Sequence, residues 1–243
     1  MPRFFTDTCS ENGIFVISGD DARHIALSLR CAVGDTVTVC CDGRSYECEL
    51  RSILPSRVEA SILRELESKA ELPFDVTVLV GNPKAGKLDL VVQKATELGA
   101  SAIIPFLSER CVSRPDADSA DKRRRRLEKI ALEAAMQSGR EVVPAIKSTV
   151  SFAEAVKIAA DADIGLFAYE MNRDVQMRSV IKDKLGSART VAILTGPEGG
   201  FSPAEAEYAK SAGLSLCGLG GRILRCETAP LYMLSALGYE AGM

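Results

Sequence analysis

Between residues 190 and 212 the sequence passes from a short, strongly apolar run, Thr190–Leu194, straight into Thr195-Gly196-Pro197-Glu198-Gly199-Gly200-Phe201-Ser202. Pro203 then opens a stretch of helical character that lasts to Ala212. Ser202 suits the N-cap of that helix, Pro203 its first position and Glu205 the reciprocal acid of a capping box. The pattern predicts a buried strand, a glycine-rich turn and a capped helix. Such a turn belongs at the C-terminal end of a parallel strand, where open α/β sheets bind ligands. Its glycines carry no side chains, so a ligand can approach the backbone amides. The same spacing also serves a tight strand-to-helix connection that binds nothing. Two phosphate-binding patterns are excluded: no Lys-Ser or Lys-Thr follows the glycines, and the Gly-x-Gly-x-x-Gly spacing is absent.

A second turn follows the next predicted strand, Leu214–Leu219. It reads Gly220-Gly221-Arg222-Ile223-Leu224-Arg225-Cys226-Glu227-Thr228-Ala229. Two arginines and a glutamate flank an apolar pair, immediately before a final helix with Leu231, Leu234, Ser235, Leu237 and Gly238 on its packed side. An arginine in such a turn can simply pair with Glu227 at the surface, which adds little stability.

Upstream, strands and helices alternate from Asp75 onward, which favours a parallel α/β sheet. Asp75–Val80, Ser101–Phe106, a short run near Ile146 and Ile164–Ala168 read as strands. Leu88, Val91, Val92, Ala95 and Leu98 recur at helical spacing, with Gly99 as a stop. Arg110–Asp121 reads as an exposed loop. Lys122–Ser138 reads as a helix with Leu127, Ile130, Ala134 and Ser138 inward, and a further helix starts at Ser151. Residues 1–72 are different. Gly13–Ser18, Asp35–Cys41, Ser45–Ile53 and Arg57–Leu63 read as strands, and Asp20–Arg30 as a helix with an Asp cap and Ile25, Ala26 and Leu29 on one side. Asp42-Gly43 supplies the positive φ angles of a tight hairpin. Glu67–Pro73 is the expected linker, dividing a small β-rich domain (1–72) from an α/β domain (73–243).

The formal charge of −3 argues against a general nucleic-acid binder. Residues 73–150, however, carry 13 Lys and Arg against 10 Asp and Glu, so RNA contact would use local patches. The eight cysteines form no Cys-x-x-Cys pair and have one histidine, His24, to help them, so no metal site is expected. Met1–Glu11 is too polar for a signal peptide, and no apolar run is long enough for a membrane span. A cytoplasmic protein with reduced thiols is the expectation.

The two C-terminal turns also carry a resemblance. Gly196-Pro197-Glu198-Gly199-Gly200-Phe201, Leu219-Gly220, Ile223-Leu224-Arg225 and Glu227-Thr228-Ala229 are similar to signatures of the RsmE family, bacterial 16S ribosomal RNA methyltransferases acting on N3 of a uridine. The resemblance extends upstream through Pro2-Arg3-Phe4-Phe5, His24, Leu29-Arg30, Lys84, Gln93 to Gly99 and Pro105. It continues with Glu133-Ala134-Ala135, Gln137-Ser138, Arg140 and Pro144. The sequence departs from the family in lacking a tryptophan on the helix after the exposed loop.

The resemblance implies a SPOUT-type parallel sheet with a C-terminal trefoil knot, a PUA-like N-terminal β-barrel that helps to hold RNA, and a homodimer. It implies S-adenosylmethionine as cofactor, 16S ribosomal RNA in the small subunit as substrate, and no metal. The cofactor is expected against three loops: the one after Ile164–Ala168, Thr195 to Gly200, and Leu219 to Ala229. Within these, Thr195, Gly196, Pro197, Glu198, Gly199, Gly200, Leu219, Gly220, Ile223, Leu224, Arg225, Thr228 and Ala229 are the expected contacts, with Ile223 and Leu224 lining the adenine slot. Neutral uridine carries a proton on N3, so the enzyme must remove it or stabilise the anion. Glu198 and Glu227 are candidate bases, or braces for the loops, and Arg225 is the candidate for anion stabilisation. Arg3, Phe5, Arg30, Lys84, Lys94 and Arg140 match family motifs and form an expected RNA-facing set. The run Lys122–Arg126 cannot share one helical face, and Arg124 can pair with Glu128. Three rival functions stay open: a methyltransferase of this fold acting on another ribosomal or transfer RNA base, a non-enzymatic RNA-binding assembly factor, and a nucleotide-phosphate binder.

Overall fold

The computed structural model describes residues 1–7, 12–67, 69–84, 86–112, 117–172, 175–182 and 184–243. They fall into two compact units. One comprises Met1–Glu71 with Ala135–Val142, the other Leu72–Ala134 with Val143–Met243.

The first unit is built on a five-stranded sheet: β1 (Arg3–Phe5), β2 (Ile14–Ser18), β3 (Thr36–Cys41), β4 (Arg44–Leu54) and β5 (Arg57–Leu66), in the order β1-β3-β4-β5-β2. Alternation along these strands sends Phe4, Phe15, Ile17, Val37, Val39, Leu50, Val58 and Ala60 into one core. Asp42 (φ 50°) and Gly43 (φ 70°) both take the left-handed conformation that the β3–β4 hairpin demands. Two register shifts between β4 and β5 are bulges, which bend and coil the strands. The predicted helix over Asp20–Arg30 is shorter and differently capped. It is α1 (Gly19–Arg23), followed by a π turn over His24–Ser28. Ser18 stands at the N-cap position, while Asp20 and Asp21 lie in the first turn. The π turn breaks the 3.6-residue period, so Ala22 and Ile25 point inward and Leu29 is exposed.

Arg140 is a correction to the expected RNA-facing set. Its side chain is 3% exposed and forms an ion pair with Glu71. The other Glu71 oxygen accepts the Glu141 N–H at 2.8 Å. Arg3 is likewise turned inward. Its guanidinium donates to Ser45 Oγ at 2.8 Å, to the Arg140 carbonyl at 3.1 Å and to Cys40 Sγ at 3.0 Å. Both arginines thus tie residues 135–142 to the sheet of the first unit.

The second unit centres on a parallel sheet. Its strands are β6 (Asp75–Gly81), β7 (Ala102–Leu107), β8 (Ala145–Ile146), β9 (Val150–Ser151), β10 (Ile164–Ala168), β11 (Thr190–Thr195) and β12 (Ser215–Cys217). The order is β12-β10-β11-β6-β7-β8, with β9 also pairing β7. The helices are α2 (Lys87–Glu97), α3 (Ala117–Ser138), α4 (Phe152–Ala160), α5 (Met177–Ile181), α6 (Pro203–Ser211) and α7 (Thr228–Glu240). On one face Val76, Val78, Val80, Val191 and Ile193 pack with Val91 and Val92 of α2 and Met233, Leu234 and Leu237 of α7. On the other, Leu79, Leu194 and Phe167 pack with α4 and α6. Period-two alternation within buried strands thus feeds two cores, as a sheet covered on both faces requires.

Other boundaries differ from the sequence expectation. The loop predicted over Arg110–Asp121 is helical from Ala117, and Cys111 is buried; residues 113–116 lie outside the described residues, as does Cys9. In α7, Met233 packs inward while Ser235 is exposed. The seven described cysteines are free thiols. No helix among the described residues is long and apolar enough to cross a membrane.

Removing one member of a buried ion pair leaves the other uncompensated, typically at a cost of about 3 kcal/mol. Arg140→Leu is therefore expected to lower unfolding stability by about that amount in urea titration. A loss below about 1 kcal/mol would show the pair to be incidental.

Candidate active site

Strands β6, β11, β10 and β12 are neighbours in a parallel sheet, so their C-terminal ends lie side by side. The chain leaves these ends in turns rich in glycine because the backbones there nearly touch. A Cβ on Gly81, the last residue of β6, would lie 2.5 Å from both N and Cδ of Pro197. A Cβ on Gly218, just past β12, would lie 2.6 Å from the Asn172 carbonyl oxygen. No rotamer relieves either clash, since the obstacle includes backbone.

The turn after β11 is fixed from several sides. Ser202 Oγ accepts the Glu205 N–H and Glu205 Oε2 accepts the Ser202 N–H, which completes the predicted capping box. The second Glu205 oxygen accepts the Glu109 N–H at 2.8 Å and so joins this turn to the segment after β7. Phe201 is buried in an aromatic cluster, 4.2 Å from Phe167 between ring centres and stacked on Phe106 at 6.2 Å. Arg110 donates to the Gly199 carbonyl at 3.0 Å.

The three strand-end turns enclose a cavity of about 400 Å³. Its walls are Ala168 at the end of β10 with Tyr169 and Glu170 after it, residues 196–201 after β11, residues 218–226 after β12, and Ala229. Among the described residues, one further side chain, Lys87 at the start of α2, joins the lining. Of the expected contacts, Gly196 through Gly200, Leu219, Gly220, Ile223, Leu224, Arg225 and Ala229 all border the cavity. Thr195 and Thr228 do not. Thr195 is buried, with its hydroxyl 3.5 Å from the Leu79 carbonyl, and Thr228 begins α7, its N–H on the Arg225 carbonyl. Sequence reasoning passed over Lys87; it expected the loop after β10 and the span 219–229 at the site without singling out Tyr169, Glu170 or Arg222. A signal for Lys87 existed: a lysine opens α2, where the helix dipole favours an acid.

Lys87 organises the charge of the site. Its Nζ lies 3.1 Å from Glu198 Oε1 and 3.3 Å from Glu227 Oε2, one carboxylate from each of two turns, and 3.7 Å from Cys226 Sγ. Hydrogen bonding to Glu198 raises the Lys87 pKa, with Cys226 and Glu227 adding to the effect against the opposing pull of burial. Burial pushes the Glu198 carboxyl up, but backbone hydrogen bonds and Lys87 outweigh it and hold its pKa low. The Lys84 N–H, 3.1 Å from Glu198 Oε1, is one of those bonds. Glu227 is similar: burial raises it, while backbone hydrogen bonding, Cys226 and Lys87 leave it lowered. The carboxylates contribute fully above their ordinary value of 4.5, and that contribution fades as pH falls through the lowered pKa values. The ammonium contributes fully below 10.5 and loses its charge as pH rises through its raised pKa. All three groups are therefore charged through the neutral range. Lowered carboxylates make weak bases, so bracing suits Glu198 and Glu227 better than proton removal does. Burial and the Glu227 hydrogen bond push the Cys226 thiol up to about 11, which keeps it protonated and donating to Glu227 at 3.2 Å.

Arg225 stands apart from this cluster. Its side chain is 83% exposed, and its nearest acid, Glu227, is 3.9 Å away. The remaining members of the RNA-facing set are spread over both units: Phe5 half-buried, Arg30 exposed with φ 53°, Lys84 exposed, and Lys94 paired with Glu97 at 2.7 Å. In the basic run, Arg123 donates to Asn82 Oδ1, Arg124 pairs with Glu128 and Arg126 with Asp89. Among the described residues, no group of three or more His, Cys, Asp or Glu is placed to hold a metal ion.

A family model for an RNA methyltransferase domain matches residues 70–238. Ribosomal RNA small subunit methyltransferase E of Bacillus subtilis is 39% identical to this chain, over 99% of this chain and 97% of that one. The chain belongs to this methyltransferase family. Among solved structures, the same enzyme from Neisseria gonorrhoeae, bound to S-adenosyl methionine, is 31% identical with a TM-score of 0.87, over 98% of this chain and 97% of that one. A protein of Legionella pneumophila with bound SAM is 26% identical with a TM-score of 0.84, over 98% and 96% of the two chains.

With its pKa near 11, Cys226 should react with iodoacetamide at pH 8 roughly a hundredfold more slowly than an unstructured cysteine. Peptide-level mass spectrometry against a denatured control reads this. Labelling of Cys226 as fast as in the control would contradict the geometry described.

Proposed function

We propose that this chain methylates N3 of a uridine in 16S ribosomal RNA of the small ribosomal subunit, with S-adenosylmethionine held in the cavity at the strand ends. The observation that carries the reading is the coincidence of family and geometry. A relative aligned over nearly the whole chain holds this cofactor, and the motif-bearing turns of this chain enclose one cavity of suitable size. Gly196, Gly199 and Gly200 leave backbone exposed along one wall, as a flat nucleoside requires, and Ile223 and Leu224 offer apolar surface on another.

When bound, S-adenosylmethionine supplies an electrophilic methyl group on a sulfonium. The residues of the chain then position the base and manage one proton, and positioning alone can contribute roughly 7–11 kcal/mol. The exposed Arg225 guanidinium is free to swing over the cavity and to neutralise charge that grows on the uridine carbonyls as N3 loses its proton. Glu198 and Glu227 brace the turns. Arg3 helps to hold its own unit together, which leaves Phe5, Arg30, Lys84 and Lys94 as the RNA-facing set. A target base within a helix would be unstacked to reach the site.

The C-terminal knot of the SPOUT class is part of the proposal. Asn172 Nδ2 donates to the Leu216 carbonyl at 2.7 Å, the Gly218 N–H donates to the Val175 carbonyl at 2.8 Å, and Gln176 bridges Gly218 in parallel. These bonds lace the segment after β10 against the end of β12, which supports threading of one through the other. The bulged sheet of β1 to β5 supports a PUA-like barrel as the domain over 1–72, with a methyltransferase domain over 73–243. Exposed Leu90 on α2 and Tyr232 and Tyr239 on α7, two helices that pack together, support a homodimer through that surface. A cytoplasmic location goes with a ribosomal substrate.

Small subunits from cells lacking this enzyme, incubated with the chain and labelled cofactor, should yield 3-methyluridine on nucleoside analysis; another methylated nucleoside, or none, overturns the assignment. Arg225→Ala is expected to reduce turnover by about a hundredfold or more while S-adenosylhomocysteine affinity changes little. Unchanged turnover would remove Arg225 from the chemistry.

A further inference from the structure

Among the described residues that line the cavity, Lys87 alone comes from outside the stretches 168–170, 196–201 and 218–229, and it pairs with an acid of each C-terminal turn. Its Nζ lies between Glu198, from the turn after β11, and Glu227, from the turn after β12, at 3.1 and 3.3 Å. The carboxylates are 28% and 14% exposed, so water screens them incompletely. Lys84, three residues before α2, adds a second grip, because its N–H donates to the same Glu198 oxygen that faces Lys87. The helix itself is anchored beneath the site by Leu88, Val91, Val92 and Ala95, all fully buried. The helix start therefore presents one cation to two acids, Glu198 in the lining of the cavity and Glu227 between the lining residues Cys226 and Ala229. Without the cation, two ionised carboxylates would face each other within a few ångströms and drive the walls apart.

We infer that Lys87 is a positioning residue that clamps the two walls of the methyl-donor cleft by bridging Glu198 and Glu227. The inference rests on the reading of this cavity as the S-adenosylmethionine site. Lys87 acts through the glutamates and the turns that carry them, not by contact with the reacting atoms. Loss of the cation therefore weakens donor binding, while the chemical step at saturating donor proceeds nearly as before. Relief of the carboxylate repulsion restores binding even without the lysine, a property that a purely packing role would not have.

The test titrates S-adenosylhomocysteine into the intact chain by calorimetry, alongside steady-state methylation of small subunits and thermal melting of each variant. The parent chain binds. Lys87→Met is expected to weaken binding by about tenfold or more and to raise the KM for the donor in proportion, with kcat within about threefold of the parent. Lys87→Arg keeps affinity near the parent value. Lys87→Met with Glu198→Gln recovers most of the loss. Should Lys87→Met melt early, Lys87→Gln serves the same comparison. Parental affinity in the Met variant, a fall confined to kcat, or a loss that Glu198→Gln leaves untouched each overturns the clamp while leaving the cavity assignment standing. No binding by the parent chain overturns both.

Discussion

The contact between Gly81 and the Gly196-Pro197 peptide sets the geometry on which the site depends. β6 and β11 run in register to their last pair, Val80 with Thr195, and then both chains must turn within the same small space. Only a residue without Cβ allows the end of β6 to lie against Pro197. The turn after β11 is thereby pressed over the sheet edge instead of rising away from it, and the capping box at Ser202 and Glu205 fixes where its helix starts. Phe201, sunk among Phe106, Phe152 and Phe167, holds the same turn down from the other face of the sheet. A parallel sheet brings strand ends together. The close approach at Gly81 turns that neighbourhood into a wall.

Charge is arranged on this frame in two tiers. The inner tier is Lys87 with Glu198 and Glu227, all ionised at neutral pH and all committed to one another. The outer tier is Arg225, exposed and loosely tied to Glu227. A fixed inner bridge holds shape, and under the proposed function the exposed outer cation would answer charge that develops during reaction. The protonated Cys226 thiol fits this division: it donates to Glu227 and so helps to keep that acid a brace.

The strand-to-helix turns were legible in the sequence because their signals are local. Ser202-Pro203 and Glu205 mark one helix start, and the glycines around 196–200 and 220–221 mark the bends. The hairpin at Asp42-Gly43 was legible for the same reason. Most strands of the second unit could be read as buried runs, although their ends shifted by a residue or two; β9, two residues long and paired only with β7, was not seen. The π turn at His24–Ser28 could not be read, since an inserted residue leaves no mark on composition. β1 was too short to show a period, and its pairing with β3 is non-local. Arg140 was misassigned because an arginine beside family motifs looks exposed, whereas its burial depends on Glu71, 69 residues upstream. Lys87 was overlooked because its partners, Glu198 and Glu227, lie in turns more than a hundred residues away. The bulged sheet and the bonds from Asn172, Val175 and Gln176 to residues 216–218 likewise depend on tertiary pairing that no window of sequence contains.

The most direct measurement is a crystal structure of the chain with S-adenosylhomocysteine. The ligand is expected in the cavity bounded by Tyr169 and Glu170, by residues 196–201 and by residues 218–226, with its adenine beside Ile223 and Leu224. A ligand bound anywhere else on the chain, or an empty cavity at saturating concentration, would contradict that placement.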